Sequence, residues 1–450
     1  MRYLTRAGAC CLALAQLACG GAPAPRNLVL VTLDTTRADA LTPYGQALPA
    51  SPSIARMAAE GVLFGQVAAS SPSTLPSHAS ILTGLHPFEH GVRANAGYRL
   101  PETQTTLAER LRDAGFRTGA EIAAPVLDAD KGLAQGFERY HDLRAGDVER
   151  ITTRSAAPGG KEVVLDERPA EDVTRAALRF IGAQGREPFF LWAHYFDPHL
   201  FHVHRPAIAE RVGGDGYLAE VLYTDTWIGA LLDHLEARGL RERTLVILVA
   251  DHGEGLGEHG ESTHSFFVYE STIRVPLILW GPRALPAGRR VAALVRTIDI
   301  LPTALDWLGL PAPEDVSGES VLPLALGEGV DPGLAAYGES IEFARFFGTA
   351  PVRFLRRGSW KYVHHDAPEL YDLAADPGER RDLASQHPER VAALRAELEG
   401  LLAGGRAAEA VATLVSPAER DRLSSRLPRA RPPRAIPRPR AAPRGPAPGR

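Results

Sequence analysis

The sequence predicts an α/β fold, a large and mostly parallel sheet sandwiched by helices, followed by a small C-terminal α+β subdomain. Three observations carry this reading. Unbroken apolar runs of strand length recur along the chain as far as Trp280. Helical patterns separate them. After Gly327 the apolar runs shorten and a single longer helical pattern closes the series.

Asn27 to Leu33 (NLVLVTL) is apolar without a break and stops at Asp34. A strand with no polar alternation has both faces covered, as in the middle of a parallel sheet. Phe189 to Ala193 (FFLWA), Leu245 to Ala250 (LVILVA) and Val275 to Trp280 (VPLILW) are runs of the same kind. Between them, Ser53 to Glu60, Thr106 to Ala114, Asp172 to Ala183 and Gly216 to Arg238 have helical periodicity. Repeated strand, helix and strand build a sheet with helices on both faces. Past Gly327, Ala335 to Glu342, Val352 to Leu355 and Trp360 to His364 read as short strands, and Pro388 to Leu402 as an amphipathic helix. The expected division is a main domain over 26–327 and a subdomain over 328–415. No internal repeat is visible.

Both ends differ from this body. Residues 1–25 place Arg2 and Arg6 before an apolar run from Ala7 to Ala18, then small residues and prolines. This is the layout of a secretory signal. Leu17-Ala18-Cys19-Gly20 resembles a bacterial lipoprotein cleavage site, so Cys19 is a candidate for lipidation and membrane attachment; a plain signal cut near Ala22 is the alternative. The expected location is outside the cytoplasm, periplasmic or anchored. The three cysteines all lie in this segment, so the body cannot form a disulfide. Residues 416–450 are dominated by Pro, Arg, Ala and Gly and cannot bury a core, which predicts a disordered tail. The formal net charge of −4 carries no nucleic-acid footprint.

Ligands of such sheets bind beyond the carboxyl ends of the strands. Asp34, His194 and Asp251 stand at or just past the ends of three apolar runs. Asp251-His252-Gly253-Glu254 sets a carboxylate beside an imidazole, which is half of a divalent metal site. Asp34 can supply a third ligand. A hydroxyl bound to such an ion becomes a better nucleophile. Thr74, in TLPSHASILTG (74–84), is the candidate hydroxyl.

Taken together, these stretches resemble the sulfatase family within the alkaline phosphatase superfamily. The resemblance rests on Thr74, Pro76, Ser77, Thr83 and Gly84, in the register of the family's nucleophile motif. It extends through VTLDTTRADAL (31–41), ADHGEGLGEHG (250–260), YESTIRVPLILWGP (269–282), DILPTALDWLGLP (299–311) and LYDLAADPGERRDLA (370–384). A register starting at Ser70 puts Ser80 where glycine belongs. The resemblance implies that Asp34, Thr74, Asp251 and His252 hold the metal and that Thr74 attacks phosphorus or sulfur. It implies that His199 contacts an ester oxygen or the leaving group. His264 falls where many sulfatases carry a lysine at the leaving-group oxygen, and can act as an acid there. Alternatively Asp197, His199 and His264, with His194, form a second metal or oxyanion site. Ca, Mn, Mg and Zn all suit the first donor set, and the histidines tilt it toward Mn or Zn.

Four departures from the pattern are informative. Sulfatases use a cysteine or serine oxidised to formylglycine, whose second hydroxyl later expels sulfate. Threonine carries a methyl on Cβ, so formylglycine is not expected. The motif's arginine is His78, the second of the paired aspartates is Thr35, and TGAEIAAPVLDADKGL (118–133) replaces a Gly-Lys-Trp-His motif. The expected activity is therefore metal-dependent hydrolysis of a phosphoester or phosphodiester of a small molecule, glycan or lipid. A sulfatase working without formylglycine and a non-catalytic metal-binding scaffold are the alternatives. Bland roles are expected elsewhere: a turn cap for His90, a structural pair for Arg37 and Asp39, and packing or capping for Asp225. Solvent or substrate contact is expected for His202 and His204, and edge-strand solvation for His364 and His365. Ala145 to Pro169 and His202 to Gly216 read as rim loops.

Overall fold

The computed structural model describes residues 26–143, 149–154, 162–199, 205–405 and 411–412. The leader, the Pro/Arg tail, His202 and His204 fall outside them.

The strands are β1 (Asn27–Leu33), β2 (Val62–Ala68), β3 (Tyr98–Arg99), β4 (Arg117–Glu121), β5 (Arg139–His141), β6 (Glu149–Arg154), β7 (Glu162–Glu167), β8 (Phe189–Tyr195), β9 (Thr244–Ala250), β10 (Leu277–Trp280), β11 (Arg289–Arg296), β12 (Ala335–Ser340), β13 (Val352–Arg357), β14 (Trp360–His364), β15 (Glu369–Asp372) and β16 (Val411–Ala412). The helices are α1 (Pro52–Glu60), α2 (Thr74–Thr83), α3 (Pro87–His90), α4 (Leu107–Asp113), α5 (Ala170–Ala183), α6 (Pro206–Ala209), α7 (Gly216–Ala237), α8 (Glu270–Ile273), α9 (Ile300–Leu308), α10 (Leu322–Leu326), α11 (Glu342–Phe347) and α12 (Pro388–Gly404).

Eight strands form the large sheet in the order β11-β2-β10-β9-β1-β8-β4-β5. Neighbours run parallel except at β10, which is antiparallel to both β9 and β2. The apolar run at 275–280 is thus the reversed strand. An apolar run reports burial on both faces, not direction. β1 is central, and all seven of its residues are buried. Helices α5 and α7 pack on the sheet, and their buried faces carry Val173, Ala177, Phe180, Leu231 and Leu235.

Register fixes the site before any side chain is considered. Leu33 on β1 pairs with Ala250 on β9 and with Tyr195 on β8. The next residues, Asp34 and Asp251, therefore leave adjacent parallel strands at one level. His194 on β8 pairs with Thr32, one step inside that edge. The run expected to stop at Ala193 continues as strand to Tyr195.

Four antiparallel strands, β12-β13-β14-β15, and α12 make up the small subdomain. β12 ends at Ser340, and Glu342 opens α11, so the strand expected through Glu342 is two residues too long. Arg93 grips Glu339 with two hydrogen bonds of 2.6 Å, and Lys361, fully buried, bridges Glu270 and Glu379 at 2.9 Å each. The stretch read as a rim loop over Ala145 to Pro169 contains the antiparallel pair β6 and β7. Asp225 accepts the amides of Ser53 and Ile54 and so caps α1 from α7. Arg37 pairs with Asp39 at 2.7 Å. Among the described residues, no helix is long and apolar enough to cross a membrane.

Candidate active site

Helix α2 delivers Thr74. Ser73 stands at its N-cap, Thr74 opens the helix, and all ten helical residues are buried. Asn95 Oδ1 accepts the amide of Leu75 at 2.8 Å and holds the first turn. Ser77 Oγ donates to the carbonyl of Asp251 at 2.6 Å, which ties the helix to the end of β9. Gly84 ends it with φ +71°, the left-handed conformation glycine adopts without strain. The Thr74 side chain thus sits at the positive end of a helix, where a developing alkoxide is favoured.

Thr74 Oγ1 lies 3.2 Å from His252 Nε2. His252 Nδ1 lies 2.9 Å from the carbonyl of Gly253 and must donate there, so Nε2 carries the lone pair. That lone pair faces a carboxylate pair: His252 Nε2 is 3.4 Å from Asp251 Oδ2 and 3.8 Å from Asp34 Oδ1. Asp34, Asp251 and His252 offer ligand atoms within 4.8 Å of one another, all buried. Asp251 Oδ1 accepts the amides of His252 (2.7 Å) and Thr35 (3.3 Å), while Oδ2 is buried with no hydrogen-bond partner among the described residues. Burial, then the neighbouring Asp34 charge, raises Asp251 well above the usual carboxylate range. Burial, then His264, pushes His252 down to about 3. Two facing carboxylates, an orphaned carboxylate oxygen and a neutral imidazole with its lone pair inward fit a divalent cation. Thr35 between them has φ +49°, a strained value for a β-branched residue, and its carbonyl is held by Tyr217 at 2.8 Å.

Around this group the site is rich in histidine. The His264 ring lies 4.6 Å from His252 and 5.0 Å from His199, which stacks on Phe196 at 4.2 Å. Glu254 orients His264, its Oε2 3.2 Å from Nδ1. Asp197 Oδ1 accepts the amide of Ala170 (3.3 Å) and Arg205 Nη2 (3.4 Å). Among the described residues, only Asp34, Asp251 and His252 have metal-ligand spacing; Asp197, His199 and His264 do not form such a group. His194 Nε2 is 3.4 Å from Asp34 Oδ2, and among the described residues neither of its ring nitrogens has a hydrogen bond. His78 donates from Nδ1 to the carbonyl of Thr74 at 2.8 Å, and its ring lies 4.9 Å from His194. Burial holds both imidazoles far below their ordinary value. After β4, Ile122, Ala123 and Ala124 are buried and apolar, so these positions bring no cation. Ser70 lies apart, its Oγ 3.5 Å from Thr297 Oγ1.

His90 accepts the amide of Val92 (3.1 Å) and donates to Ser80 Oγ (3.0 Å), so it fastens the turn to α2. His364 meets the Tyr362 hydroxyl and His365 the Glu369 carboxylate, both in the small sheet. Glu254 and Asn95 were not singled out from the sequence. Glu254 had a signal, as the acid after Asp251-His252-Gly253; Asn95 had none.

Comparison with known proteins follows the same outline. The family profile described as Sulfatase matches residues 26–310. The chain belongs to the sulfatase family. It is an ester hydrolase of the alkaline phosphatase superfamily. A second profile, N-sulphoglucosamine sulphohydrolase, C-terminal, matches residues 257–406 of this sulfatase-family chain. An N-acetylglucosamine-6-O-sulfatase of Bacteroides thetaiotaomicron is 26% identical, covering 79% of this chain and 82% of that protein. The phosphonate monoester hydrolase of Agrobacterium radiobacter shares the fold with a TM-score of 0.70 at 22% identity, covering 84% of this chain and 95% of that one. A structure solved with its substrate D-glucosamine-2-N,6-O-disulfate gives 0.67 at 23% identity, covering 84% and 97%.

The loop bearing His264 depends on a buried acid. Glu261 accepts the amides of Phe266 and Phe267, and burial pushes it up to about 8. Its unfolded value is near 4.5, so between these values the folded chain keeps a proton that the unfolded chain has lost. Folding stability therefore falls as pH rises through this window. Urea midpoints at about pH 5 and about pH 8 should show the fall, and Glu261→Gln should make it smaller. An equal fall in the variant would remove Glu261 from the account.

Proposed function

We propose that this sulfatase-family chain hydrolyses a phosphoester or phosphodiester by in-line attack of Thr74 Oγ1. The observation that carries the reading is the hydroxyl of Thr74 at the head of a buried helix, 3.2 Å from His252 Nε2 and beside the Asp34 and Asp251 carboxylates. Asp34, Asp251, His252 and Thr74 would hold one divalent ion, Ca, Mn or Zn, with the imidazole favouring the latter two. When bound, that ion supplies charge that lowers the hydroxyl's pKa and draws electrons from the ester oxygens. Thr74 forms the bond to phosphorus as the leaving oxygen departs on the opposite side. His264, oriented by Glu254, and His199 stand in the same cluster and are assigned to the leaving oxygen and the oxyanion. Threonine has a single hydroxyl, so its ester must be opened by water, a route that suits phosphorus. The methyl on Cβ excludes formylglycine as the working group.

The family match favours a second reading, a sulfatase working through threonine itself. Purified chain with added Ca, Mn or Zn, assayed on nitrophenyl sulfate, nitrophenyl phosphate and bis(nitrophenyl) phosphate, separates them. Turnover is expected on a phosphorus ester and not on the sulfate. Sulfate turnover alone would sink the phosphorus assignment. Metal binding without turnover on all three would favour a scaffold. The leader-like residues 1–25 support export, with Cys19 as the candidate anchor.

A further inference from the structure

His194 is buried at the edge of the sheet that carries the acids, and it has no part in the attack on the ester. On β8 the alternation of side chains sets it beside Trp192, and Phe196 follows just past the strand. Their ring centroids lie 6.4 and 6.3 Å from the imidazole. The side chain is fully buried, and among the described residues both ring nitrogens lack a hydrogen bond. A buried polar group in that state costs stability and calls for a reason.

The two oxygens of Asp34 face two different imidazoles. Oδ1 lies 3.8 Å from His252 Nε2, which carries a lone pair, and Oδ2 lies 3.4 Å from His194 Nε2. Burial pushes His194 down to about 3, so its ring is neutral and only one nitrogen bears a proton. A carboxylate repels a lone pair and attracts an N–H, which puts that proton on Nε2. His194 is not placed to hold the ion itself: among the described residues only Asp34, Asp251 and His252 have metal-ligand spacing. His78 is engaged differently, since its Nδ1 proton is bonded to the Thr74 carbonyl at 2.8 Å. Thr35 and Thr36 follow Asp34, so β1 ends on a single carboxylate and depends on how that carboxylate is turned.

We propose that His194 is a positioning residue for the cation of this site: its Nε2 proton, aimed at Oδ2, holds the Asp34 carboxylate with Oδ1 toward His252. The assignment rests on the metal reading of the Thr74 site, and it names a group that tunes ion affinity without touching ion or ester. A neutral N–H aimed at a ligating carboxylate sets the ligand's orientation and adds no charge to the site. Loss of such a partner typically weakens metal binding about ten- to a hundredfold.

Mn binding to the full chain, followed by electron paramagnetic resonance, tests this without any turnover. His194→Phe keeps a ring and removes the proton, and should weaken Mn about tenfold or more. His194→Gln keeps an N–H and should recover most of that loss. Melting separates positioning from packing. In chelator His194→Phe should melt no lower than wild type, because the phenyl ring leaves no buried nitrogen unbonded. With Mn it should gain less than wild type, because the ion binds more weakly. Equal Mn affinity in wild type and His194→Phe overturns the proposal, and so does an equal loss of affinity in both variants. Proton–nitrogen magnetic resonance of the chain with isotope-labelled histidine reads the tautomer directly and does not require His194→Phe to fold. The His194 signal, identified by its absence from His194→Gln, should show the proton on Nε2; a proton on Nδ1 overturns the assignment. Wild type that binds neither Mn nor Zn rejects the metal reading itself, and this role with it.

Discussion

Thr74→Ala is expected to lower turnover by about a thousandfold or more while leaving the fold intact. The change removes the hydroxyl and the methyl on Cβ, and Ser73, not Thr74, is the N-cap of the helix. The cap, the Asn95 hold on Leu75 and the Ser77 tie to Asp251 all survive the change. Circular dichroism and the urea midpoint should therefore stay close to wild type. Thr74→Ser keeps the oxygen and should retain measurable activity, because only packing around the lost methyl changes. Pre-steady-state kinetics with excess nitrophenyl ester give the sharper reading: a burst of nitrophenol in wild type that is absent in the alanine variant. Wild-type rates in the alanine variant would remove Thr74 as nucleophile and turn attention to water.

Metal removal should have the second large effect, on stability as well as rate. The buried carboxylates of Asp34 and Asp251 face each other, and burial with this repulsion raises Asp251 well above its ordinary range. A bound divalent ion reverses the sign of that interaction. At a free concentration about a hundred times its dissociation constant, an ion binding only the folded chain adds about 2.7 kcal/mol. Chelation should lower the melting temperature and abolish turnover, and Mn or Zn should restore both. Asp251→Asn separates a metal site from a mere acidic cluster. It should melt below metal-loaded wild type, because a ligand charge is gone. In chelator it should melt above wild type, because the repulsion with Asp34 is gone as well. The chelated wild type should also lose stability as pH rises, since its folded state holds a proton on Asp251 that the unfolded state releases earlier. Melting curves indifferent to chelator and metal in both proteins would sink the site.

Burial on both sides is written directly into an amino-acid run, and this is why β1, β8 and β9 were legible. The polar residues that end those runs were legible for the same reason, since Asp34 and Asp251 interrupt apolar sequence. Strand direction was not legible: β10 is as apolar as its parallel neighbours. β2, β4 and β11 escaped notice because Gln66, Arg117, Arg289 and Arg290 break their runs at exposed or half-buried positions. The rim segment over Ala145 to Pro169 carries a turn signal at Pro158-Gly159-Gly160, but β6 (ERITTR) has no apolar run to mark it as a strand.

The sequence by itself determined the α/β class, the strand ends that carry acids, and a threonine in the nucleophile register. The first two follow from local composition, since a buried strand must be apolar and a polar residue ending it must face an edge; the register is what the resemblance to the sulfatase motif implies. Only the tertiary structure decided that Asp34, Asp251 and His252 converge within 4.8 Å. It also bonded Asp197 Oδ1 to Ala170 and Arg205, set Glu254 behind His264, and tied Ser340 to the loop bearing His264. The physical reason is register and reach. Which residues meet depends on how strands distant in sequence align and on where side-chain hydrogen bonds are satisfied, and neither quantity is local to any stretch of the chain.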